Sequence, residues 1–99
     1  MAGQNLPRRQ KVMNYFRKKP KGQLLLLRRQ AGEHILLRDA DGPACLFDGD
    51  RQTFDLLWNR VLEALVKERY LEQREGEHGE RYYARADVGL RNGTEPAQP

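Results

Sequence analysis

One cysteine, Cys45, stands among 99 residues, so no internal disulfide can brace the fold. The longest purely apolar run, Leu24 to Leu27, is far shorter than the about 20 residues with which a helix crosses a bilayer. No charged-then-apolar leader opens the sequence. Together these absences set the expectation of a soluble chain in a reducing cytoplasm. Site chemistry is equally sparse. His34 and His78 lie far apart, and no spacing of His, Cys, Asp or Glu matches a zinc site. Asp39, Asp41, Asp48 and Asp50 flank glycines but lack the regular ligand alternation and distal glutamate of a calcium loop; they read as turn formers. With no phosphate-cradling GxxxxGK and no nucleophile motif, the expectation is a non-enzymatic domain without metal or cofactor.

The most informative absence is that of acid. The first 32 residues contain nine cations and no carboxylate: Arg8, Arg9, Lys11, Arg17, Lys18, Lys19, Lys21, Arg28 and Arg29. From Glu33 onward nine cations face fourteen acids, so a basic head precedes an acidic body. Such a head repels itself unless an anion is near, and phosphate backbones are the commonest polyanion, bound with release of condensed counterions. The expectation is that these cations gather into one contiguous surface for a polyanion; solvated lysines are the plain alternative.

The length allows a single domain, placed at 8–90 between a flexible N-terminus, 1–7, and a polar, disordered tail, 91–99. Pro7 followed by RRQKVMNYFRKK predicts a helix with Val12, Met13 and Phe16 on one face, ended by Pro20 and Gly22. Arg8, Arg9 and Lys11 oppose the positive pole of that helix, which suggests an external use for them unless the start is frayed or extended. The stretch QLLLLRRQA lacks alternation and has good helix propensity, so a short helix is expected there, with a buried strand as the other option. HILLRD and ACLFD, joined through Ala40 to Pro43, predict a β-hairpin. From Thr53, Phe54, Leu57, Trp58, Val61, Leu62 and Leu65 follow helical spacing, with Asp50 or Thr53 as cap and Trp58 as a core anchor. Leu71 to Glu75 and Arg81 to Arg85 predict a second hairpin, turning through Gly76 and Gly79.

Leu65, the pair Tyr70-Leu71, the polar segment from Arg74 to Arg81, Tyr82-Tyr83 and Gly89 together resemble the closing half of prokaryotic winged helix-turn-helix domains. The resemblance covers residues 53–90. It implies an α+β, winged-helix-like domain with helices packed on short antiparallel hairpins, and a role in DNA binding. Three features depart from the family pattern: Arg69 stands where a glycine is usual, Ala86-Asp87 replaces a common threonine, and a hairpin from Glu33 to Asp48 precedes the candidate recognition helix. On that helix Arg51, Gln52, Asn59 and Arg60 suit base edges or phosphates, but Asp55 and Glu63 share the surface. In the wing, Arg74, Arg81 and Arg85 alternate with Glu72, Glu75, Glu77 and Glu80, so cross-strand ion pairing competes with minor-groove contact.

Three functions follow. The first is a duplex-DNA-binding protein, a small transcriptional or mobile-element accessory factor, with Arg8 to Arg29 gripping phosphates and a homodimer as one option for its assembly. The second is a protein-interaction module of the phage inhibitor or adaptor type, docking through its acidic body or exposed helix. The third is RNA binding, with Tyr15, Phe16, Tyr82 and Tyr83 stacking on bases, against which stands the tendency of clustered aromatics to be core.

Overall fold

A computed structural model describes residues 7–89; the expected tail and all but the last residue of the expected flexible N-terminus lie outside them. The element order is α1 (Arg8–Lys18), β1 (Leu24–Arg29), β2 (His34–Asp39), β3 (Cys45–Asp50), α2 (Arg51–Leu57), α3 (Asn59–Lys67), β4 (Leu71–Glu75) and β5 (Arg81–Arg85). All five strands join one antiparallel sheet in the order β3-β2-β1-β5-β4. The fold is thus a small α+β domain of three helices on a five-stranded sheet.

The four leucines form a strand and not the expected helix. β1 is the central strand, and each of its neighbours is antiparallel to it, with Leu24 opposite Asp39 on one side and Tyr83 on the other. Leu24 and Leu26 are buried, whereas Leu25 and Leu27 on the opposite face are half-buried. A strand with apolar side chains on both faces shows no period-2 alternation in sequence, and tertiary burial overrides local helix propensity. The β1–β2 turn is tight, with Gln30, Ala31 and Gly32 all at positive φ.

Both hairpins fall at the expected places. β2 and β3 turn through residues 40–44, closed by the Asp39 N–H donating to the Ala44 carbonyl at 2.8 Å. β4 and β5 pair from Leu71 opposite Arg85 to Glu75 opposite Arg81. Of the two glycines assigned to that turn, only Gly79 has a positive φ. At Gly76 the Glu80 carboxylate lies close to where a Cβ would stand, a contact that the flexible Glu80 side chain could relieve by moving.

The expected single helix from Thr53 is two segments that meet at Trp58. Asp50 caps α2: its carboxylate accepts from the Thr53 N–H at 3.1 Å and the Thr53 hydroxyl at 2.8 Å, and these bonds hold its pKa below the usual value. Trp58, at φ −112° and ψ −34°, keeps near-helical angles and still donates to the Phe54 carbonyl while its own carbonyl accepts from Leu62, so the two segments join without an open turn. Phe54, Trp58, Leu62 and Leu65 are buried, whereas Leu57 of the predicted apolar face is 40% exposed, beside Leu56 at 66%.

α3 ends in a motif that accounts for Arg69. The Tyr70 N–H reaches back to the Leu65 carbonyl and the Arg69 N–H to that of Val66, a Schellman closure with Arg69 in the left-handed region at φ 67°. The position where winged proteins commonly carry glycine therefore has the backbone that favours glycine, filled here by arginine.

The core is formed by Val12, Tyr15 and Phe16 of α1, Phe54, Trp58, Leu62 and Leu65 of α2 and α3, and Leu24, Leu26, Ile35, Leu37, Leu71 and Tyr83 of the sheet. All three helices thus cover one sheet face. Tyr15 takes the place expected for Met13, which is half-buried.

α1 is fastened to the sheet by a buried carboxylate, Asp39, only 1% exposed. It accepts from Lys19 Nζ at 2.5 Å, the Asp41 N–H at 3.0 Å and the Tyr15 hydroxyl at 2.9 Å, which also lies 2.9 Å from the Gln23 carbonyl. Burial alone would raise the pKa of this carboxyl; the bonds from Lys19, the Asp41 N–H and Tyr15 outweigh it and hold the pKa below the ordinary 3.8.

Two outcomes follow for stability. Asp39→Ala removes the acceptor shared by Lys19, the Asp41 N–H and the Tyr15 hydroxyl and should cost about 1–3 kcal/mol in urea unfolding. Because the folded pKa is the lower one, this contribution is complete above the unfolded value and is lost as pH falls through the folded value; the variant should lose that acid limb. Arg69→Gly should raise stability by about 0.5–1 kcal/mol by removing the left-handed strain, and an unchanged or lower urea midpoint would contradict this account.

Candidate nucleic-acid interface

The outer face of α1 follows from its inner one. With Val12, Tyr15 and Phe16 turned to the core, a period of 3.6 residues leaves Gln10, Lys11, Asn14, Arg17 and Lys18 turned outward. Asn14 Oδ1 accepts from Gln10 Nε2 at 3.1 Å and from Arg17 Nη2 at 2.8 Å, so the middle of this face is a polar chain of side chains. No carboxylate stands on α1. Lys11 and Lys18 are exposed and two turns apart, about 10 Å along the axis, and the exposed Lys21 continues the cationic run past the helix end.

The helix begins at Arg8, so fraying does not remove the conflict between its first cations and the dipole. A distant acid relieves it. Arg9 makes two bonds to Glu68 just beyond α3, Nη2 to Oε1 at 2.6 Å and Nη1 to Oε2 at 3.1 Å. The pair raises the pKa of Arg9 and lowers that of Glu68.

The nine cations of the head do not form one surface. Arg9 and Lys19 are neutralised by Glu68 and Asp39. Arg28 and Arg29 close β1, about 17 Å from its start at the strand rise, and Arg28 donates to the Gly79 carbonyl at 3.3 Å in the β4–β5 turn. The head is divided because β1 carries the chain across the sheet between Lys21 and Arg28. What remains together is Lys11, Arg17, Lys18 and Lys21, with the half-buried Arg8 at the other end of α1.

The remaining predicted residues are dispersed. Arg51 opens α2 and Arg60 lies on α3, both exposed. The Asn59 amide donates to Glu63 at 3.2 Å. On the β4–β5 hairpin, Arg81 bonds Glu75 at 3.0 Å and the Tyr83 hydroxyl at 3.3 Å, and at the end of β5 Arg85 bonds Asp87 at 2.5 Å. Each of these arginines has its pKa raised, Arg81 by Tyr83 and Glu75 and Arg85 by Asp87. These two cations are thus held by the protein's own acceptors. Among the described residues, the side chains of Arg8, Lys11, Lys18, Lys21, Arg29, Arg51 and Arg60 make no hydrogen bond or ion pair.

Three of the four aromatics considered for base stacking are core: Tyr15, Phe16 and Tyr83. Tyr82 is half-buried on the opposite sheet face, and the guanidinium of Arg74 lies 4.7 Å from its ring centroid. Arg74, expected with Arg81 and Arg85 either to pair with glutamates across the hairpin or to contact DNA, stands over this ring because of the register: once Glu75 lies against Arg81, Arg74 must face Tyr82.

Among the described residues no group of three His, Cys, Asp or Glu side chains could hold a metal ion, and no helix is long and apolar enough to cross a membrane. No family model, curated protein or solved structure matches the chain. Releasing Arg9 from its acid should strengthen the pull on polyanions: Glu68→Gln should elute from a heparin column at higher salt than the parent protein, and earlier elution would show that Arg9 does not contribute to that surface.

Proposed function

We propose that the protein is a non-enzymatic DNA-binding domain that grips the phosphates of duplex DNA with the outer face of α1 and Lys21. The observation that carries this reading is the set of Lys11, Arg17 and Lys18 on a helix that bears no carboxylate, with Lys21 just beyond it, a set whose lysines have no partner among the described residues. Its axial span of about 10 Å matches about three nucleotides of rise along one strand. A transcriptional or mobile-element accessory role fits a domain of this size.

The connectivity supports a winged-helix-like reading of the fold. Without the β2–β3 hairpin, the chain runs helix, strand, two helical segments, strand, strand, and β5 lies between β1 and β4. The hairpin then extends the sheet on the far side of β1. Base reading by α3 is less well supported, because α2 and α3 join through Trp58 alone, with no open turn, and Glu63 occupies the exposed face beside Asn59 and Arg60. Phosphate contact through α1 therefore carries the binding, with modest sequence preference.

One observation favours a second reading, the protein-interaction module: Leu56 and Leu57 form an exposed apolar pair on α2. Such a pair is small beside the patches that mark partner sites.

The test is a titration of duplex DNA at several salt concentrations. The logarithm of the affinity should fall linearly with the logarithm of salt concentration. Lys11→Gln, Lys18→Gln and Lys21→Gln combined should lower the slope by about 2.7, at about 0.9 for each phosphate no longer neutralised, with the thermal midpoint unchanged. Salt-independent binding, or none, would overturn the proposal; a protein complex that survives nuclease and disappears on Leu56→Glu would favour the second reading.

A further inference from the structure

The sheet face turned away from the helices has its own relief. β1 pairs with β5 over only three residues, Leu24 to Leu26, while it pairs with β2 along its whole length. Beyond Leu26 the two hairpins part, and a cleft of about 420 Å³ opens between them, lined by Leu25, Leu27, Tyr82, Arg28, His78, Gly79 and Glu80, a volume within the range of small-ligand sites. Leu25 lies directly across from Tyr82 in the β1–β5 register, and Arg74 directly across from Tyr82 in the β4–β5 register. The ring is thus flanked by a guanidinium on the β4 side and by the leucine-lined cleft on the β1 side.

We infer that this cleft binds an unpaired base of a single DNA strand, stacked between the Tyr82 ring and the side chains of Leu25 and Leu27. The flat aromatic wall, backed by a cation 4.7 Å from its centroid, suits a planar heteroaromatic ring, since base stacking on aromatic side chains and arginine is the common device of single-strand recognition. The rim suits the edge of a base. Glu80, 3.4 Å from the Tyr82 hydroxyl and accepting the His78 N–H at 2.9 Å, offers carboxylate oxygens to base amino or imino groups. Arg28, fixed over the turn by its bond to Gly79, and the exposed Arg29 next to it offer cations to the flanking phosphates. An aliphatic partner side chain would fill the floor but leave this rim unused.

The class of ligand rests on the nucleic-acid reading above, but the surface is a different one, since α1 lies on the opposite side of the sheet. A duplex could therefore be gripped by α1 while a displaced strand enters the cleft. The two readings fail separately: the triple lysine variant tests α1 on duplex DNA, and Tyr82 variants test the cleft on single strands.

The experiment measures anisotropy of a labelled thymidine 12-mer, an abasic 12-mer with the same phosphates, a uridine 12-mer and a duplex. The thymidine strand should bind about tenfold more tightly than the abasic one, the gain from one stacking interaction. Tyr82→Leu should abolish that difference, Tyr82→Phe should keep it, and neither should change duplex affinity. In the unsubstituted protein the Tyr82 ring protons should shift upfield on adding the thymidine strand, a readout that does not depend on any variant folding. Equal affinity for thymidine and abasic strands, no ring shift, or tenfold tighter binding of the uridine strand would overturn the assignment. So would concentration-dependent dimerisation abolished by Tyr82→Leu, which would make the face a contact between two copies.

Discussion

The fold depends on one buried carboxylate. Asp39 ends β2, the strand beside the centre of the sheet, and receives a lysine, a tyrosine hydroxyl and a backbone N–H at once. An unpaired charge in that position would cost several kcal/mol, so α1 must dock with Tyr15 inward and Lys19 reaching over the turn. That docking turns Val12 and Phe16 into the core that also holds Leu24 and Leu26 and determines which side of α1 meets solvent. The surface available to an external anion is thus a consequence of how the protein satisfies an internal one.

The same constraint limits the charge that the head can present. One of its lysines is used for Asp39, and Arg9 is used for Glu68. The acidic body, which looks like a separate half of the chain when read linearly, supplies partners to the basic half in space. What is left is smaller than nine charges, and most of it lies on or just beyond α1, where no carboxylate of its own helix competes.

With every helix on one sheet face, the other face depends on side chains alone for cover. Leu25, Leu27, Leu36 and Tyr82 are half-buried there, and the short β1–β5 pairing opens a cleft among them. This explains why four consecutive leucines are used: two serve the helical core, and two serve a face that keeps some contact with solvent. It also explains why helix and strand could not be separated locally, because a strand that is apolar on both faces loses the alternation that identifies it.

Much was legible from residue order: both hairpins, the α1 span, the amphipathic run with Trp58 in the core, the Asp50 cap, and the division of charge. These are local properties, set by side-chain period, turn chemistry and composition, and need no knowledge of what lies across the sheet. Tertiary structure alone decided that Leu24 to Leu27 are a strand, that the long helix is interrupted at Trp58, that Leu57 faces outward, and which cations stay unpaired. The strand depends on pairing with β2 and β5, and the choice of cations on Arg9 meeting Glu68 and Lys19 meeting Asp39; these are contacts between residues distant in sequence, whose strength is set by proximity and burial, and no linear pattern encodes them.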